Sequence, residues 1–239
     1  MVEEKRPVPA VVDALCYPLV RISWFLLVVL CAAGFLVLVT VSTLQTGKVL
    51  ISGRIIFAAL VLIGVIVRCY FTIIEHTLID WGKEAWQDAS VDTDGLWSSM
   101  ASLFGLACIS WAPAMIVGYF IAPEVEWREL ACQITAAFGC EYFCTGVLAL
   151  VVFNNFSQVL PHHILPAIFK SGPAFMLCGA ALVLVPMSFK TVWGMLPETQ
   201  AVFLRALISS SVAAFFLIVH ARLTGLLYVG NRERIGWES

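Results

Sequence analysis

Two ionisable residues stand inside long apolar stretches of this sequence, and they are the first place to look for chemistry. Arg68 lies near the middle of one stretch and Glu141 lies at the midpoint of another. An unpaired charge at the centre of a bilayer costs about 2.5–3.5 kcal/mol on insertion scales. Opposite charges at similar depth therefore predict an ion pair between Arg68 and Glu141. The pair either fixes helix packing or takes part in transport or proton relay.

The surroundings of both residues predict polar strips that face protein. Around Arg68, small or polar residues recur at helical spacing: Gly64, Thr72 and Glu75. Thr145 follows Glu141 by one helical turn. Because residues four apart share a helix face, each set forms one strip.

Four histidines add secondary candidates. His220 lies inside the last apolar stretch, whereas His76, His162 and His163 lie near the ends of stretches. A bis-histidine haem needs two imidazoles at matched depth on different helices, and His220 alone is suitable, so we expect no haem. Convergence of Glu75, His162 and His163 at the membrane interface would instead indicate an enzyme that acts on lipid.

Other catalytic and metal-binding motifs are missing from the sequence. Cys140 and Cys144 share a helix face, but no CxxC or HExxH spacing accompanies them. P-loop, GxGxxG and GxSxG motifs are also absent. We therefore expect no metal, no cofactor and no catalytic residue, and we interpret the eight cysteines as packing residues.

Composition places this chain in a membrane. It is 61% hydrophobic and 13% charged, whereas soluble domains are about 45–50% apolar and about 25% charged. Lipid can solvate the excess apolar surface. The formal net charge of −2 provides no basic field, which argues against a nucleic-acid partner.

The elements that must position these residues are membrane-spanning helices, since backbone polar groups in lipid have to be paired internally. About 20 apolar residues cross the hydrocarbon core. The sequence predicts an all-α, polytopic transmembrane helix bundle, a single domain over 1–239, with about six spans: 22–44, 54–74, 98–122, 129–153, 164–189 and 202–229.

Prolines at 166, 173 and 186 predict that the fifth span kinks or breaks.

One or two amphipathic helices are expected to lie at the membrane surface. Residues 74–89 place apolar side chains on one helical stripe, and residues 8–20 form a shorter candidate. An ordinary connecting loop is the alternative interpretation of both segments.

Basic residues predict the orientation. With a cytoplasmic N-terminus, the eight basic residues inside are Lys5, Arg6, Arg21, Lys83, Lys170, Arg222, Arg232 and Arg234, and the five outside are Lys48, Arg54, Arg128, Lys190 and Arg205. This bias predicts that both termini are cytoplasmic.

The C-terminal run ARLTGLLYVGNRERIGW, from Ala221 to Trp237, resembles the end of certain bacterial multipass membrane proteins of unknown function. The resemblance implies a bacterial inner-membrane location and carries over no catalytic residue.

Three functions remain open from the sequence. The first is a non-enzymatic subunit or accessory component of a membrane transport or envelope assembly, with membrane lipids and a membrane protein as partners. The second is a small transporter or channel that uses Glu141 and Arg68, with a water path to Glu141. The third is a membrane-embedded enzyme acting on lipid.

Overall fold

A computed structural model describes residues 10–46, 53–80, 93–122, 125–197 and 202–237, and these residues contain helices and no strand. The α-helices are α1 (Ala10–Val20), α2 (Ile22–Thr46), α3 (Gly53–Asp80), α4 (Thr93–Phe120), α5 (Arg128–Phe153), α6 (Pro161–Ser171), α7 (Pro173–Met195) and α8 (Val202–Ile235). A short 3₁₀ helix, Phe156–Val159, connects α5 to α6.

The helical, membrane-spanning architecture confirms the fold class that the sequence predicts. Within the described residues, five helices are each long and apolar enough to cross a bilayer, namely α3, α4, α5, α7 and α8. The pair α1 and α2, which is bent by 77°, adds a sixth if the two helices together form one broken span. Helix α2 has 25 residues without a charged side chain, and at about 1.5 Å per residue this length exceeds the hydrocarbon core.

The predicted fifth span is broken in two. Helix α6 ends at Ser171 and α7 begins at Pro173, with Gly172 between them at φ 66° and ψ −153°. Only glycine adopts this conformation readily, and proline suits the first turn of the next helix. The break that the prolines predict therefore occurs at Gly172, whereas Pro166 and Pro186 lie within continuous helices.

Two short helices lie at the end of the bundle where α3, α5 and α8 finish. Residues 10–20 of the predicted segment 8–20 form a helix, α1, and not a loop. Helix α6 is amphipathic, because Ile164, Ala167 and Ile168 are buried while Phe169 and Lys170 are exposed. Both helices have the length and pattern of interfacial segments.

The prediction of a separate interfacial helix over 74–89 is wrong in its first half. Residues 74–80 continue α3 without a break, and Ile74 and Thr77 are fully buried in the bundle. The membrane-spanning helix is longer than its apolar core suggests because α8 packs along it. Residues 81–89 lie outside the described part of the chain.

The core of the bundle runs along α3, α5 and α8. The most apolar windows of α5 and α8 are 56% and 61% buried, whereas those of α4 and α7 are only 11% buried. Helices α4 and α7 therefore pack on α5 and α8 from outside and present most of their surface to lipid.

Arginines close the two hairpins formed by α4 with α5 and by α7 with α8. The Nη2 of Arg128 donates to the carbonyl oxygen of Gly118 at 2.6 Å. The Nη2 of Arg205 donates to the carbonyl of Trp193 at 3.0 Å, and its guanidinium lies 4.7 Å from the Trp193 ring. Both carbonyls lie in the last turn of a helix, where a cation complements the helix dipole.

Candidate functional site

Arg68 pairs with Glu75 and not with Glu141. The Nη1 of Arg68 lies 3.4 Å from Oε1 of Glu75, two helical turns along the same helix. Within the described residues, Glu75 is the only acidic partner of Arg68, so the expected Arg68–Glu141 pair is absent. The long arginine side chain reaches toward the helix end instead of across the bundle, as such side chains do when a wetter region is within reach.

The Arg68–Glu75 pair lies in a cleft of about 460 Å³ between α3, α4 and α5. Its other polar lining residues are Ser98, Ser99, Ser102, Asn154 and Asn155. Its apolar lining residues are Phe71, Leu150, Val151 and Phe156. We call this space the Arg68 cleft.

The Arg68 cleft lies at the level of the membrane interface. Its α4 residues begin at Ser98, directly after the exposed Trp97 at the start of that spanning segment. Its α5 residues reach Asn154, which ends α5 in the left-handed conformation with φ 47°. Tryptophan and helix ends both mark the headgroup region of a bilayer. The α4 and α5 residues therefore place the cleft toward the ends of the spanning segments, and Arg68, in the middle of the α3 segment Ile56–Leu78, forms its deeper side.

Hydrogen-bonding capacity in the cleft is only partly used. The Nε of Arg68 is buried and has no partner, and its side chain is 21% exposed against 37% for Glu75. Asn155 uses its Oδ1 to accept from the backbone N–H of Ser157 at 2.9 Å. The Nε atoms of Arg128 and Arg205 are also buried without a partner, but of the three arginines Arg68 is the one that lines this cleft, where an external acceptor can satisfy it.

Glu141 has no ion pair or hydrogen bond to its carboxylate from the described residues. It lies midway along α5 and is partly exposed. A Cβ built at Gly179 of α7 would lie 3.3 Å from the Cγ of Glu141. The Glu141 side chain therefore packs against α7 at a position that has no side chain of its own. Its backbone carbonyl accepts from Thr145 at 2.9 Å. The residues that line the Arg68 cleft do not include Glu141.

His220 is the centre of a buried polar cluster. Its Nδ1 lies 2.8 Å from the hydroxyl of Tyr70, and its Nε2 lies 3.4 Å from Sγ of Cys144. The Tyr70 and His220 rings are stacked, with centroids 5.7 Å apart. Both ring nitrogens thus have partners, from α3 and α5, and His220 is fully buried.

One turn further along α8 the cluster reaches α7. The hydroxyl of Thr224 lies 3.6 Å from Sγ of Cys178 and donates to the carbonyl of His220 at 2.8 Å. We name Tyr70, Cys144, Cys178, His220 and Thr224 the His220 cluster. It joins four helices, and among the residues described no three His, Cys, Asp or Glu side chains are placed to hold a metal ion.

The sequence analysis identified His220 but not its partners. Tyr70 and Cys178 follow no motif, and their contact with α8 depends on how the helices are rotated. In contrast, the spacing of Ser98, Ser99 and Ser102 in the sequence puts them on one face of a helix. This polar face could have been used to predict the α4 wall of the cleft.

His162 and His163 do not join either site. Both are exposed at the start of α6, with ring centroids 4.1 Å apart, and neither lines the Arg68 cleft. Of the three residues expected to converge at the interface, only Glu75 lies in the cleft.

A third polar contact fastens α1 to the bundle. The Nε of Arg222 donates to Oδ2 of Asp13 at 2.8 Å, and its Nη1 donates to Oγ1 of Thr77 at 3.2 Å. The guanidinium also lies 4.7 Å from the Tyr17 ring. Arg222 therefore ties α1, α3 and α8 together at one end of the molecule.

No model of a known protein family, no curated protein and no solved structure matches this chain.

Proposed function

We propose that this chain is a non-enzymatic subunit or accessory component of a membrane transport or envelope assembly. In this proposal it holds a transmembrane helix of a partner protein against the face of α5 and α7 around Glu141. One observation carries the proposal, namely that the carboxylate of Glu141 lies at mid-membrane depth without a partner among the described residues.

The cost of exposing that carboxylate to lipid supports a protein partner. An acidic side chain at the centre of a membrane helix costs about 2.5–3.5 kcal/mol on insertion scales, and an ion pair offsets this cost. A partner helix with a lysine or arginine near its centre supplies the complementary charge.

The surface beside Glu141 allows close approach of another helix. Ala137 lies one turn before it on α5, and Ala180 lies beside Gly179 on α7, and both alanines are exposed. Small residues at such positions let helix backbones come near each other, which is the usual basis of helix association in lipid.

Cross-linking in the membrane tests the proposal. A photo-cross-linking amino acid at Ala137 should give an adduct with a different membrane protein. The captured peptide should come from a transmembrane helix with a central Lys or Arg. Glu141→Gln should lower the yield roughly ten-fold, because the ion pair contributes on the order of 1–2 kcal/mol.

Two controls accompany this experiment. Glu129→Gln removes a carboxylate from the exposed first turn of the same helix and should leave the yield unchanged. The same cross-linker at the exposed Leu26 of α2 should not capture the partner. An adduct with lipid alone, or a yield that does not respond to Glu141→Gln, contradicts the proposal, as does an adduct with a second copy of this chain.

The two alternative functions have less support from the geometry. A transporter that uses Glu141 needs a water path to it, and the Arg68 cleft has no lining residue on that part of α5. An enzyme acting on lipid would use the cleft, but His162 and His163 lie outside it, which leaves its serines without an imidazole base.

The proposed location is the inner membrane of a bacterial cell with both termini in the cytoplasm. The excess of Lys and Arg on one set of loops and the resemblance of the C-terminal run support it. Arg222 and Asp13 place α1 at the end of the bundle where α3 and α8 finish, which agrees with an even number of crossings.

A further inference from the structure

The Arg68 cleft contains one cation and one anion whose mutual contact is weak. Their 3.4 Å separation is longer than the roughly 2.7–2.9 Å of a strong charge-assisted hydrogen bond. Arg68 keeps its buried Nε unpartnered, and the carboxylate of Glu75 is more than a third exposed. Each charge therefore has capacity for a second partner, and together they add no net charge to the cleft.

Three serine hydroxyls line the same cleft as the guanidinium. The side chains of Ser98, Ser99 and Ser102 line the cleft, and none of them donates a hydrogen bond to another described residue. A guanidinium with neighbouring hydroxyls is a suitable site for a phosphate, whose oxygens only accept hydrogen bonds.

The carboxylate of Glu75, in the same cleft, favours a cationic group and not a phosphate. Glu75 accepts hydrogen bonds only, and a simple anion placed on Arg68 would lie close to its negative charge. A ligand that carries an ammonium group next to its phosphate avoids this repulsion and satisfies both residues. The pattern of charge therefore matches a zwitterion better than an anion.

Apolar walls extend from this polar region. Phe71, Leu150, Val151 and Phe156 line the same cleft, which lies at the level where headgroups meet acyl chains. A ligand with apolar chains buries them on these side chains while its headgroup remains in the polar part.

We propose that the Arg68 cleft binds the phosphoethanolamine headgroup of a zwitterionic phospholipid. The phosphate contacts Arg68 and the serine hydroxyls, and the ammonium donates to Glu75. This site is independent of the partner surface around Glu141, because the residues that form the two do not overlap.

Lipid titration of the full-length protein tests the assignment. The chain is purified in detergent, stripped of lipid, and titrated with short-chain phospholipids that carry ethanolamine, choline or glycerol headgroups, and separately with free phosphoethanolamine. Bound lipid is counted by native mass spectrometry, and the thermal midpoint is followed in parallel. We expect at least ten-fold tighter binding of the ethanolamine lipid than of the glycerol lipid.

Two substitutions separate the two halves of the site. Arg68→Gln should weaken binding of the ethanolamine lipid roughly ten-fold, because the charge-assisted bonds to the phosphate are lost. Glu75→Gln should retain phosphate binding, raise the affinity for the glycerol lipid and so remove the preference for ethanolamine. Arg232→Gln, at an exposed position near the end of α8, serves as the control and should change neither affinity.

Three results would overturn the inference. Equal binding of all three lipids means that Glu75 does not select the headgroup. Unchanged binding in Arg68→Gln removes the phosphate site. Free phosphoethanolamine that binds as tightly as the lipid identifies a water-soluble ligand and ends the assignment to a lipid. If Arg68→Gln does not fold, two other variants still test the site. Glu75→Gln should lose the preference for the ethanolamine lipid over the glycerol lipid, and Arg68→Lys should retain binding of the ethanolamine lipid.

Discussion

Arg68 illustrates how the partner of a charged residue is chosen inside a membrane protein. Glu75 was already visible in the sequence as a member of the same helical strip, and the structure pairs it with Arg68 at 3.4 Å. A partner on the same helix needs no particular arrangement of the bundle, and it lies in the direction of the interface, where the charge is less costly. Glu141, on another helix, has no ion pair among the described residues.

The His220 cluster shows the opposite case, in which polar residues from four helices satisfy one another. Burial without such partners would cost roughly 1–3 kcal/mol per group. The cluster therefore specifies how α3, α5, α7 and α8 are rotated against each other, and its function in this fold is to fix packing.

Tyr70→Phe tests this role of the cluster. It removes the hydroxyl that lies 2.8 Å from Nδ1 of His220 and keeps the ring stacking, so the free energy of unfolding should fall by about 0.6–1.7 kcal/mol, the range measured for interhelical hydrogen bonds in membranes. Unfolding in a mixed detergent series measures the change. Tyr119→Phe, on an exposed tyrosine of α4, is the matched control, and an equal effect of both substitutions would refute a stabilising hydrogen bond to His220.

At the scale of elements, glycines set how closely the helices approach. A Cβ at Gly139 would lie 2.6 Å from the carbonyl oxygen of Ser110, and one at Gly225 would lie 2.6 Å from the Thr77 side chain. The first contact brings α4 onto α5 and the second brings α3 onto α8. These two contacts set the separation of α4 from α5 and of α3 from α8.

Gly139→Ala should therefore destabilise the protein although alanine is the better helix former. The added methyl meets backbone, which cannot rotate away, and overpacking of this kind costs about 1–3 kcal/mol. Gly194→Ala is the control, since no atom lies within 4 Å of its Cβ, and it should be neutral or stabilising. Thermal midpoints of the two variants in the same detergent provide the measurement, and a Gly139→Ala variant as stable as the parent would contradict the close packing.

At the scale of the whole molecule, the distribution of burial separates a stable core from a lipid-facing surface. More than half of the apolar window is buried in α5 and α8, whereas only 11% of it is buried in α4 and α7. Helices that face lipid gain no hydrophobic stabilisation from association, so packing and polar contacts hold them in place. Arg128 and Arg205, which cap the ends of α4 and α7, contribute two of these contacts.

The crossing number leads to a prediction about the intact chain. If the bent pair α1 and α2 crosses once, the chain crosses six times, and tags placed before α1 and after α8 should be accessible from the same side of the membrane. Added protease should reach both tags in inverted vesicles and neither tag in intact cells whose outer face is exposed. Protection of only one of the two tags in either preparation would mean an odd number of crossings.

The sequence by itself determined which segments enter the membrane, since hydropathy is a sum over about 20 neighbouring residues. It also predicted a kink or break in the fifth span from three prolines, but the structure was needed to place the break at Gly172, before Pro173. Only the tertiary structure decided that Arg68 meets Glu75, that His220 meets Tyr70 and Cys144, and that Glu141 lies partly exposed against Gly179 of α7. Those outcomes depend on the rotation of each helix about its axis, which is set by contacts between residues far apart in the chain.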